Sequence, residues 1–124
     1  MEQIKTFEDA CKVLGLDPEK VIPDFSMFQE EHQKAMVAHA KLVIIAQALN
    51  GDWKPDWGNR EWDKYCPWFS MGGSSGSGFA PCDSVSWRSR SGVGSRLCFK
   101  SSEIAKYAGK QFEELYKDYF LIQY

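Results

Sequence analysis

Apolar positions recur at helical spacing in three stretches of the chain and alternate with polar ones in a fourth, between 84 and 100. Phe7, Ala10, Cys11 and Leu14 mark a first short amphipathic helix. Thr6 stands at its N-cap, Glu8 and Asp9 sit in the first turn where they meet the positive end of the helix dipole, and Gly15 suits a left-handed C-cap. Asp17-Pro18-Glu19-Lys20 repeats the start signal and predicts about one further turn before Pro23 stops it. From Glu30 to Leu49 there is neither Gly nor Pro, and Asn50-Gly51 closes the run, which predicts a long helix. Its stripe is Ala35, Met36, His39, Leu42, Val43, Ala46 and Leu49, widened by Ile44 and Ile45, so its late part is expected to be buried on more than one side. Ser101 or Ser102 caps a last helix reaching about 118, with Ile104, Ala105, Tyr107, Ala108, Phe112, Leu115 and Tyr116 on its core side.

The runs Ser84–Arg90 and Arg96–Lys100 alternate in the manner of strands, and Ser91-Gly92-Val93-Gly94 between them suits a hairpin loop. In that arrangement Val85, Trp87, Leu97 and Phe99 form an apolar face turned to the core, and Arg88, Arg90, Arg96 and Lys100 share a basic one. Upstream, Trp53, Pro55, Trp57, Trp62, Tyr65 and Trp68 follow no helical period and read as an aromatic-rich loop leading into a strand near Trp68–Met71. The low-complexity run at 72–78 reads as a flexible loop within the domain. Helices at both ends and a small antiparallel sheet with a hairpin give an α+β fold, one domain over residues 1–124, because a short apolar sheet face has to be covered by helices.

Composition narrows the function classes. With 124 residues, 44% of them hydrophobic and 15% aromatic, the chain has material for one ring-rich core. A formal net charge of −2 argues against a protein that coats nucleic acid through bulk positive charge. The longest aliphatic run, Leu42–Ala46, is far too short to span a bilayer, and the acidic start Met1–Asp9 lacks the pattern of a secretory signal, so a cytoplasmic protein is expected. Cys11, Cys66, Cys82 and Cys98 are irregularly spaced with no Cys-x-x-Cys, which predicts free, mostly structural thiols.

Catalytic signals are weak. Gly72-Gly73-Ser74-Ser75-Gly76 matches Gly-x-Ser-x-Gly, but any Gly/Ser run generates that match and no helix is expected to follow. The run lacks the Gly-Lys-Ser/Thr ending of a phosphate loop, although its backbone N–H groups suit an anion. His32 and His39 lie two turns apart, about 10 Å along one helix face, too far to chelate one ion. His39 is expected to be partly buried and hydrogen-bonded, and His32 exposed. No catalytic residue, metal or cofactor is therefore assigned.

The cations carry the strongest signal. Between Cys66 and Lys100, Arg88, Arg90, Arg96 and Lys100 face only Asp83 in a chain that is acidic as a whole. Arginine forks suit phosphate or carboxylate. The expected site joins these four to Ser86, to Trp68 or Trp87 stacking on a base, and to Gly73, Ser75 and Gly76 of a closing loop. The competing reading is a solvated basic face paired with carboxylates from the 52–63 segment.

Lys5–Cys11, Gly94–Ser101 and Tyr116–Phe120 resemble a family of short uncharacterised proteins of gut Bacteroidetes phages and related prophages, crAss-like phages among them, and the resemblance spans nearly the whole chain. It implies a phage accessory factor and carries over no catalytic residue. One class of small phage proteins similar in size and charge layout captures nucleotide signals of host defence. The expectation is accordingly a non-catalytic, cytoplasmic anti-defence protein that sequesters a phosphate-bearing nucleotide. One alternative is a virion component or an inhibitor of a host protein that uses the Trp-rich segment, and another is a nucleotide-processing enzyme. A homodimer is expected because Tyr119–Ile122 and several Trp exceed what so small a domain readily buries alone.

Overall fold

The computed structural model describes residues 3–60, 63–72, 78–90 and 92–122. Helix α1 (Phe7–Leu14) starts with a capping box: the Asp9 N–H donates to the Thr6 hydroxyl at 3.1 Å, and the Thr6 N–H donates to the Asp9 carboxylate at 3.2 Å. Gly15 ends it at φ 71°, a conformation that favours glycine. The single turn after Asp17 forms as the sequence predicts, closed by the N–H groups of Lys20 and Val21 on the Asp17 carbonyl.

Helix α2 (Glu30–Asn50) buries Leu42, Ile44, Ile45, Ala46, Ala48 and Leu49, positions too scattered for one stripe. Contact with α1 and with the C-terminal helix explains the spread. The expected last helix is two. Helix α3 (Ser102–Gln111), capped by the Ser101 hydroxyl on the Ile104 N–H, gives way at Phe112 (φ −113°, ψ 29°) to α4 (Glu113–Phe120). The break lets α3 lie against the sheet while α4 lies against α2, which one straight helix of this length does not do. Tyr119, Phe120 and Leu121 pack on the chain's own core, so this segment does not itself call for a second copy.

The hairpin is made from other partners than the sequence predicts. Strand β1 (Lys64–Ser70) pairs antiparallel with β2 (Ala80–Trp87), in register Tyr65 to Ser86 and Cys66 to Val85, with an irregularity at Trp68/Phe69. The Gly/Ser run thus connects two strands of one sheet, inside the domain; its residues 73–77 lie outside the described part. Gly72 and Gly78 meet at its base, where a Cβ on Gly72 would clash with the Gly78 backbone.

The segment expected as the partner of β2 is a 3₁₀ turn at Ser95–Leu97 followed by one bridging residue, Phe99, on the other edge of β1. Charge explains why β2 does not pair with it, since a hairpin of 84–90 with 96–100 crowds four cations on one face. Proline explains why the third strand is so short. Tyr65 and Phe99 exchange both backbone bonds, so Tyr65 and, two residues on, Pro67 aim their main-chain groups away from β2. Pro67 has no N–H to continue the ladder. Asn50 covers the outer side of the segment: its carboxamide donates to the Cys98 carbonyl at 2.9 Å and accepts from the Lys100 N–H at 3.2 Å.

The core runs through Phe7, Leu42, Ile45, Phe99, Ala105 and Tyr116. Among the described residues no helix is long and apolar enough to cross a membrane.

Candidate functional site

The register sorts the strands into two faces. Pro67 lies against Gly109 of α3, so its cross-strand partner Ser84, and Ser86 two residues on, share the face that α3 covers. Cys66, Val85 and Trp87 take the other face. The sequence predicts alternation in β2 correctly and its polarity wrongly: Val85 and Trp87 turn away from the core. On the inner face Ser84 is half-buried and Ser86 exposed.

The outer face holds a groove of about 300 Å³. Cys66, Val85, Phe69 and Phe120 line it, with Trp68, Met71, Trp87 and Val93. Trp68 is 56% exposed, Met71 44% and Trp87 37%, so three large apolar side chains stand in solvent around one apolar depression.

At one end of β1 the groove's framework is fixed by Lys64, which is fully buried. Its ammonium donates to the Asn59 carbonyl at 2.8 Å and to the Arg88 carbonyl, and lies 5.3 Å from the centre of the Trp57 ring. The Trp57 indole N–H donates in turn to the Ser95 hydroxyl. One lysine therefore joins the 57–60 loop, β1 and the end of β2. Nothing in the sequence marks it. Beside it Asp63 accepts from the Arg88 Nε at 3.0 Å and from the Tyr65 hydroxyl at 3.3 Å. Burial and the neighbouring Asp63 carboxylate push the Tyr65 hydroxyl above its ordinary range.

The structure does not assemble the expected basic face. Arg88 follows β2 and pairs with Asp63, and Arg90 is exposed two residues beyond. Arg96 sits on the 3₁₀ turn and lines a separate, wide depression of about 1230 Å³ with Trp53 and Asn50. Lys100 is exposed just ahead of α3. Ser86 and Trp87 point to opposite faces, and Gly73, Ser75 and Gly76 lie outside the described residues. Of the expected ligand-binding residues, Trp68 and Trp87 come together at one groove. Cys66, Met71, Val85 and Val93 join them there unforeseen; the alternation at Val85 and Trp87 was the available signal, and it reads equally as core.

His39 is partly buried, stacked on Tyr119 with ring centres 4.9 Å apart and planes 16° from parallel. His32 is partly exposed beside Glu31. Among the described residues no three His, Cys, Asp or Glu side chains come together as a metal site. What the groove offers chemically is apolar contact, two indoles, the phenyl rings of Phe69 and Phe120, and one thiol. Comparison with protein-family models, with curated proteins and with solved structures finds no match to this chain.

Proposed function

We propose that this chain is a non-catalytic binding protein whose open sheet face seats an apolar, aromatic-bearing segment of another protein. The observation that supports this reading is the exposure of Trp68, Met71 and Trp87 around one apolar groove. Tryptophan is favoured at the centres of protein interfaces, and a contiguous apolar patch on a small domain is the usual mark of one. Together with the resemblance to short phage proteins, this reading makes the chain an accessory factor that engages a host protein in the cytoplasm.

Selection from a displayed peptide library, followed by titration of the tryptophan fluorescence, tests it. Selected peptides should share apolar or aromatic anchors, and Trp68→Ala and Trp87→Ala should each weaken them by roughly tenfold or more, the size of an interface anchor. Nucleotide sequestration is the second arm of the same experiment. Retention of an intact linear or cyclic nucleotide, lost on Arg88→Ala, would favour that reading, and a chemically altered nucleotide would point to an enzyme. Light scattering separates a third occupant, because a homodimer that Trp68→Ala disperses would mean that a second copy fills the groove.

A further inference from the structure

We infer that Cys66 and Cys98 form a dithiol site that closes to an intramolecular disulfide on meeting a small-molecule disulfide. The register places them together. Tyr65 and Phe99 face each other and exchange both backbone hydrogen bonds, at 3.0 and 2.6 Å, so the antiparallel direction of this single bridge brings Cys98 alongside Cys66. Cys98 is extended, at φ −107° and ψ 161°, and Cys66 lies within β1, so both backbones suit the pairing. A position flanking a doubly bonded pair is the close one of the ladder, with Cα atoms about 4.5 Å apart and side chains on one face. Disulfides span Cα separations of roughly 4.4–6.8 Å, so the two positions can be bridged without moving the backbone.

The surroundings agree. Both thiols are buried, and Cys98 feels Cys66 electrostatically: burial first, then the neighbouring Cys66, pushes the Cys98 thiol up to about 11. Burial raises the Cys66 thiol as well. Cys66 lines the groove, whereas Cys98 lies beneath the 3₁₀ turn with its thiol toward the Ser95 carbonyl at 3.5 Å. An incoming disulfide therefore meets Cys66 first.

The reaction is thiol–disulfide exchange. Cys66 loses its proton, and its sulfur attacks one sulfur of oxidised glutathione, forming a mixed disulfide and expelling one glutathione thiolate. The Cys98 thiol then loses its proton and attacks the Cys66 sulfur, expelling the second thiolate. Two protein thiols are oxidised and one small disulfide is reduced to two thiols. The rate rises with pH, because burial holds both attacking groups in the thiol form. The new bond ties down a segment whose ladder stops at Pro67.

The test uses the full chain carrying Cys82→Ser, which removes the exposed thiol and leaves Cys11, Cys66 and Cys98. After incubation with oxidised glutathione, the protein is unfolded, alkylated and mapped by mass spectrometry. The expected result is loss of two alkylatable thiols, a mass lower by two hydrogens, a peptide linking Cys66 to Cys98, and full reversal by dithiothreitol. In the same background Cys98→Ser should stop at a stable glutathione adduct on Cys66. Survival of all three thiols, a link through Cys11, or a Cys66 adduct that persists although Cys98 is present would each overturn the assignment.

Discussion

Gly109 of α3 presses on Pro67 of β1 so closely that a Cβ at position 109 would stand 3.1 Å from the proline Cβ and 3.5 Å from the Phe69 ring. The glycine is what lets the helix seat against the strand. On an exposed helix surface, Gly to Ala stabilises by about 1 kcal/mol through backbone entropy. Here the added methyl meets a residue in a strand held on both edges, and overpacking a core costs about 1–3 kcal/mol. Gly109→Ala should therefore lower the thermal midpoint rather than raise it, as followed by circular dichroism; a gain in stability would show that the sheet yields freely.

Lys64 is the second structural hinge of the site. Lys64→Met keeps the length of the stem and removes the donors that serve the Asn59 and Arg88 carbonyls. Hydrogen bonds from a charged donor contribute about 1.5–3 kcal/mol each. Urea denaturation should place the variant at least about 2 kcal/mol below the parent, with indole fluorescence altered by the loss of the contact with Trp57.

Asn50 stands in for a missing strand, and its two bonds have opposite polarity. Asn50→Asp retains an acceptor for the Lys100 N–H but sets a carboxylate against the Cys98 carbonyl. That substitution should destabilise by about 2 kcal/mol or more, since it buries a charge and loses a donor. Faster hydrogen exchange at the Phe99 amide, which donates to Tyr65, would locate the damage in the bridging segment.

Acid should weaken the fold in a defined window. The carboxyls of Asp9, Asp24 and Asp83 are held below the ordinary 3.8, chiefly by the backbone N–H groups of Lys5, Ser26 and Ser84 respectively, with Lys106 adding to the effect on Asp83. A carboxyl whose folded pKa is depressed contributes stability that is complete above its unfolded value and is lost as pH falls through its folded value. The urea midpoint should accordingly hold steady from about pH 7 to about pH 5 with respect to these groups and fall below about pH 4. Asp9→Asn, which keeps the capping acceptor and removes the titration, should flatten part of that fall.

Local signals were legible because they act locally. Thr6 with Asp9, Gly15, the Asp17 turn and Ser101 mark helix ends through hydrogen bonds and dihedral preferences spanning only a few residues, and all four appear where the sequence predicts them. The break at Phe112 was not legible, because it answers to two different packing partners, the sheet for α3 and α2 for α4.

The sequence by itself determined the α+β class, the starts of α1, α2 and α3, and the presence of alternation at Ser84–Trp87. Tertiary structure alone decided which strand that run joins, which face it turns inward, and hence where a ligand is met. A period of two is the same whichever face is buried, and strand pairing is settled by remote partners: Cys66 against Val85, Pro67 against Gly109, and Phe99 on the far edge of β1. Moving Val85 and Trp87 outward turned a presumed core into a groove, and the same pairing dispersed Arg88, Arg90, Arg96 and Lys100, because like charges on one short sheet repel while the aromatic and aliphatic side chains of β1 and β2 pack.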